Sequence, residues 1–371
     1  MSIKSRRNLV RTLMIIAAVC GFLLIVYLII ESGARDVADA ILLIGWWLIP
    51  ITLFHLVPLV FSALSWRELL PLSSRPATIS IIWIRWIRDS INSLLPVASI
   101  GGDIASVRLA RLQGVPGSQA VASMVVDTTV GVTTQLIFDL TGVGLLLMRS
   151  TEHRALLVAW AVLIGTGIFF VAIAAFIVFQ HRGLFAGSAK LTRWLLPQQW
   201  LSAWMASASA IDDAVVAAYR SGRSILRANV WHLIAWTAET GEIWLVMQAL
   251  GQPLSLLDAF MLESLVSGVR AAAFMVPAGL GVLEGGFVLF GALFGLPADT
   301  ALAISLSKRV RELALGLPGL FVWHWIEGHY LLGRSAPKQV AGVERIQDPV
   351  GCNYVVAKTP TRTGSDAGSS K

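Results

Sequence analysis

The chain has 371 residues, 56% of them hydrophobic and only 14% charged, with a mean hydropathy of +0.73. That balance excludes an ordinary soluble globular protein and identifies a polytopic integral membrane protein. The formal net charge of +7 is therefore read through its placement in loops, and no nucleic-acid partner is expected. Cys20 lies inside the first apolar run, Cys352 lies in the tail, and six scattered histidines show no ligand spacing, so disulfide, metal and cofactor chemistry are not expected.

The basic start, MSIKSRRNLVR, precedes an apolar run at 13–30 that is longer than a usual signal core and lacks a cleavage site. It reads as an uncleaved first span with its basic end in the cytoplasm. A short acidic loop at 31–39 leads to a second span at 40–65, with Arg67 and Arg75 marking the inner face. Residues 79–95 place Arg85, Arg88 and Asp89 at helical spacings, and Arg85 and Asp89, four apart, can pair. Pro96, Gly101 and Gly102 then break the helix, and the limb at 103–112 is too short to span. The whole stretch 79–113 reads as a re-entrant hairpin.

Further spans follow at 118–148, carrying Asp127 and Asp139, and at 155–179, which is uncharged. The loop 181–227 is strongly basic and belongs in the cytoplasm. Its middle, 200–219, reads as a surface-lying amphipathic helix anchored by Trp200 and Trp204. A span at 228–250 holds Glu239 and Glu242, and a second hairpin occupies 254–297. The final span, 299–325, carries Lys308, Arg309, Arg311 and Glu312; the polar tail, 334–371, is expected to be disordered.

The two hairpins share a register. Pro277 falls 181 positions after Pro96, and Glu284 falls 181 after Asp103. At the same offset Gly295-Leu296-Pro297 matches Gly114-Val115-Pro116, and Lys308 matches Asp127. An internal repeat follows, with 1–150 as its first half and 151–333 as its second. Whether both limbs of each hairpin span or both re-enter, an odd number of crossings separates the copies, so the repeat is inverted and both termini face the cytoplasm. The fold class is an all-α polytopic membrane protein with about six full spans and two re-entrant broken-helix hairpins, up to ten apolar helical segments in all.

An ionised side chain at the bilayer centre costs about 2.5–3.5 kcal/mol even on the lenient insertion scale. Asp103, Asp127, Glu239, Glu242, Glu284, Lys308, Arg309, Arg311 and Glu312 all lie in or beside apolar segments, so they must find partners inside the protein. Spacing offers Lys308 with Glu312 and Asp103 with Arg108. Taken together the charges point to a polar groove within the membrane. There the backbone breaks at Gly101, Gly102, Gly279 and Gly281 expose amide and carbonyl groups that a ligand can satisfy.

These residues resemble the lysylphosphatidylglycerol synthase transmembrane region, or flippase-like domain. Asn92, Pro96, Gly101-Gly102-Asp103 and Arg108 carry the likeness in the first hairpin, and Pro277, Gly279, Gly281 and Glu284, in PAGLGVLEG, carry it in the second. Within the family, GGD and VVDTTVG are similar to the hopanoid-biosynthesis-associated membrane proteins of bacteria. The resemblance implies a translocase that moves or handles an amphiphilic lipid, with a hopanoid as one candidate, in the bacterial inner membrane. It also implies membrane lipid as substrate and lipid-synthesis enzymes as partners. The related proteins' soluble aminoacyl-transferase domain has no counterpart in this sequence, so the chain is not expected to be an enzyme. Two alternatives stay open: a membrane-embedded lipid-modifying transferase using Glu284 or Asp103 as general base, and a non-catalytic accessory protein of lipid synthesis.

Overall fold

The structure is a computed structural model that describes residues 44–95, 100–149, 174–180, 198–272, 281–333, 343–347 and 353–357, with isolated positions 42, 167 and 171. The expected first span, most of the span at 155–179, and Pro96, Pro277 and Gly279 lie outside the described residues. The chain divides into two compact units, residues 1–323 and 324–371. The described part of the first unit is helical throughout.

Helices α1 (Leu48–Phe54) and α2 (Leu56–Leu69) form, with a preceding 3-10 turn, the apolar stretch Gly45–Leu69. Then come α3 (Thr78–Leu94), α4 (Ile100–Leu112) and α5 (Gly117–Arg149). Next are α6 (Gln198–Arg220), α7 (Gly222–Ala249), α8 (Leu256–Ala272), α9 (Val282–Gly291) and α10 (Ala298–Gly333). Among the described residues, Gly45–Leu69 and α5 are long and apolar enough to cross a membrane, with mean hydropathies of 2.0 and 1.6. Charges dilute the equally long α7 and α10.

Sequence explains where the broken elements stop. Leu95 is extended (φ −106°, ψ 139°), as a residue before proline should be, so α3 ends there. The 13 residues of α4 reach about 20 Å, well short of the ~30 Å hydrocarbon core. Gly114 (φ +93°) then reverses the chain into α5. The same turn recurs 181 residues on. Gly114 and Val115 donate to Arg111 and Ala110; Gly295 (φ +72°) and Leu296 donate to Ala292 and Gly291; and α5 and α10 each begin directly after the proline that follows.

Side chains on α3 show why it packs inside the protein. Ile81, Ile84, Ile87, Ile91 and Leu94 bury one stripe at helical spacing, and Arg88 is buried as well, so the polar face also packs. The main apolar core joins Ile243, Val246 and Met247 of α7 to Leu262 and Leu265 of α8, Phe287 and Phe290 of α9, and Ile304 of α10. Ile49, Leu53, Trp83, Ile137, Leu289 and Phe321 are exposed, as a lipid-facing surface requires.

Two helix contacts mirror one another. Helix α5 packs on α8, where a Cβ on Gly142 would overlap the Ser264 side chain and where Gln135 donates to the Ser267 hydroxyl at 2.8 Å. Helix α10 meets α3, where Gly316 and Gly319 abut Leu94 and Ser90, and where Trp86 Nε1 donates to the Leu315 carbonyl at 3.0 Å. Small residues permit both close approaches.

Helix α6 differs from its surface-lying expectation: Val215 is buried against Val126 and Val130 of α5 and Ala228 of α7. In the second unit, within the tail expected to lack order, β1 (Val343–Gln347) pairs antiparallel with β2 (Asn353–Ala357), Val343 facing Ala357. Val343, Ile346, Val355 and Val356 give these short runs their strand preference.

Candidate functional site

Two charge clusters occupy the helical unit. The first is built around Asp127 of α5, whose side chain is 1% exposed. Arg88 of α3 donates through Nη1 to Asp127 Oδ2 at 3.0 Å and through Nε to Asp103 Oδ1 of α4 at 2.6 Å. Its Nη2 reaches Thr128 Oγ1 at 3.4 Å. One guanidinium therefore ties three helices together, using the planar fork that suits arginine to such a junction. The other Asp127 oxygen lies 3.1 Å from His232 Nε2 of α7 and accepts from Ser65 Oγ of α2 at 3.4 Å. Arg85 stands 3.6 Å from Asp127 and donates to Asp89 at 3.0 Å, the pairing its spacing predicts.

The head of α4 is pinned to α3 by Asn92, whose side-chain oxygen accepts from the Gly102 amide at 2.9 Å. A Cβ on Gly102 would collide with the Arg88 carbonyl and the Asn92 amide, so this position needs a glycine. Gly101 is half-buried beside it, and Arg108 is exposed further along the same helix.

The second cluster projects from α10. Lys308 Nζ donates to both Glu263 oxygens at 2.7 Å and stands 5.7 Å over the Phe287 ring. Arg309 donates to Glu284 Oε1 of α9 and to Glu312 Oε2, each at 3.0 Å. Glu284 Oε2 in turn accepts from the Gly281 amide at 2.8 Å, and Gly281 adopts φ +75°, a conformation suited to glycine. Arg311 Nε lies 3.0 Å from Glu242 Oε1 of α7, close enough for an ion pair though not aligned as a hydrogen bond, and Arg311 also contacts His55.

Helix α7 joins both clusters, contributing His232 to the first and Glu242 to the second, a separation of roughly 15 Å along a helix. Spacing alone named two wrong partners. Lys308 binds Glu263 rather than Glu312, and Asp103 takes its cation from Arg88 on the neighbouring helix. Both partners come from other elements, which intrahelical spacing cannot reveal. Arg88, His232 and Glu263 are among the residues a sequence-only site lacks. The available signal was the demand itself: a buried Asp127 requires a cation, and 79–95 offers two.

The clusters share a graded design. Asp127 and Glu242 are each 1% exposed, whereas Asp103 and Glu284, at the broken helix ends, are 24% and 20% exposed. Asp103 and Glu284 can thus meet a ligand, while Asp127 holds Arg88 and Glu242 holds the neighbouring Arg311 in place.

No curated protein and no solved structure matches the chain at a significant level. The family model described as the lysylphosphatidylglycerol synthase TM region matches residues 14–319, a range that includes both clusters and both broken-helix segments. With most of its length matched, the chain belongs to this family of lipid-related membrane proteins.

Proposed function

We propose that the chain is a lipid translocase that moves an amphiphilic lipid between leaflets of the bacterial inner membrane. The observation that carries this reading is the pair of partly exposed acids at helix breaks, Asp103 and Glu284, each held by an arginine inside a membrane-embedded helical unit. A headgroup can exchange into such a pair, because breaking one contact to arginine is offset by making another. The apolar part of the lipid then stays in the bilayer, a division that suits a hopanoid or another lipid with a compact polar head. The residues that would bind and pass the headgroup are Asp103, Arg88, Glu284 and Arg309. Asn92, Gly102 and Gly281 would hold the breaks open.

The two halves act as an inverted repeat, so the breaks enter from opposite faces and the termini both lie in the cytoplasm. The recurrence of the Gly114 turn at Gly295 and the mirrored contacts of α5 with α8 and α10 with α3 support this arrangement. Reporter fusions after Gly251 and after Leu296 test it. Both should report the outside; opposite sides would refute the second re-entrant hairpin.

The function is tested with purified chain in vesicles of phosphatidylethanolamine and phosphatidylglycerol carrying a trace of headgroup-unmodified, tail-labelled phosphatidylglycerol. Leaflet exchange should exceed that of protein-free vesicles by at least about tenfold, equivalent to about 1.4 kcal/mol of barrier. No acceleration with this lipid or with a labelled hopanoid would remove the translocase reading.

A further inference from the structure

Asp127, Glu242 and Glu263 each face a cation; Asp139, on the same helix as Asp127, faces none among the described residues. Asp139 is 1% exposed, its Oδ1 has no hydrogen-bond partner among the described residues, and its Oδ2 is packed against the Gly268 backbone on α8. The Ser267 hydroxyl lies beside it. The charged groups on the described helices around it do not supply a counter-ion. On α8, Glu263 is a like charge already bound to Lys308, Asp258 is bound to Arg149 at the far end, and exposed Arg270 acts on Glu312. On α7, Glu239 and Glu242 act on Lys308 and Arg311, and His232 is bound to Asp127. On α2, Glu68 pairs with Arg75 and Arg227; on α4, Asp103 pairs with Arg88 while Arg108 and Arg111 stand toward its other end; and the α6 acids Asp212 and Asp213 lie on the helix that packs near Val126 and Val130.

We propose that Asp139 is a proton-binding site that couples lipid movement to the transmembrane proton gradient. The carboxyl holds a proton while the α5–α8 seam is closed as seen here, and releases it to water when the seam parts. This rests on the translocase reading above. A buried carboxylate with no cation and a single hydroxyl beside it is disfavoured relative to the neutral acid, so closure of the seam favours the proton. Small residues bring α5 and α8 close at this point, with Gly142 against Ser264 and Gly268 against Asp139. Packing does not call for an acid at this point. In the mirrored contact the equivalent position, 181 residues on, is Leu320. A proton binding at Asp139 therefore favours one closed state, which is how a ligand shifts a two-state element.

Two measurements test the site. Infrared spectra of the native chain at neutral pH should contain a protonated-carboxyl C=O band that Asp139→Asn lacks; an unchanged band would overturn the assignment. In the phosphatidylethanolamine and phosphatidylglycerol vesicles, an imposed proton gradient should change native leaflet exchange of the labelled phosphatidylglycerol by about tenfold. Exchange in Asp139→Asn should persist without responding to the gradient. Native exchange that ignores the gradient would overturn the coupling while leaving the translocase intact. Absence of native exchange would overturn the translocase reading and the coupling with it, and the infrared band would still decide whether Asp139 holds a proton.

Discussion

Replacing Arg88 with leucine is expected to lower stability by about 3–5 kcal/mol, the cost of breaking a buried ion pair by removing one partner. The geometry makes this the most damaging single change in the first cluster. Arg88 answers two acids on two helices, Asp103 at 2.6 Å and Asp127 at 3.0 Å, so its loss takes the arginine from both and leaves Asp127 with His232 at 3.1 Å. Arg85, 3.6 Å from Asp127 and already engaged by Asp89, is a weak substitute. Thermal unfolding of the purified protein in detergent measures the effect. The Arg88→Leu, Asp127→Asn double variant should recover a substantial part of the loss, because the penalty comes from the uncompensated charge and not from the missing arginine. A single-variant loss below about 1 kcal/mol would place the Arg88 contacts among exposed pairs of little consequence.

This dependence on partners from distant elements marks the limit of what the sequence discloses. The breaks were legible because proline, glycine and helix length act locally: Pro96 follows the last turn of α3, and Gly114 and Gly295 end the short limbs α4 and α9 with positive φ. The boundaries of α5, Gly117–Arg149, fall one residue from the apolar run at 118–148 for the same reason. Charge demand was legible too, since an acid among apolar residues must be compensated. The identity of the compensating group was not. Asp103 could be matched by spacing to Arg108, and Lys308 to Glu312, yet the tertiary packing brought Arg88 and Glu263 closer. The burial of α6 against α5 was hidden for a related reason: an amphipathic stripe is the same whether it meets lipid headgroups or another helix.

Neutralising Glu284 as glutamine is expected to slow lipid movement by about 10–100-fold, the rate equivalent of losing one charge-assisted contact of about 1.5–3 kcal/mol. Stability should change by no more than about 1 kcal/mol, since each remaining group keeps a partner. Glutamine retains a carbonyl oxygen for the Gly281 amide, so the φ +75° turn at the break can persist. Arg309 keeps Glu312 at 3.0 Å. The fully buried Glu242 provides the contrast. Its glutamine variant leaves Arg311, which is itself buried, with the more distant Glu312 at 3.9 Å, and should destabilise the protein more than Glu284→Gln does. Leaflet exchange of tail-labelled phosphatidylglycerol in vesicles, run beside thermal unfolding of each variant, separates the two effects. If Glu284→Gln moves lipid at the native rate with unchanged stability, the acid at the second break takes no part in the path. If it moves lipid slowly while unfolding at the native temperature, the charge acts on the lipid and not on the fold, and Asp103→Asn should behave alike because Arg88 still holds Asp127.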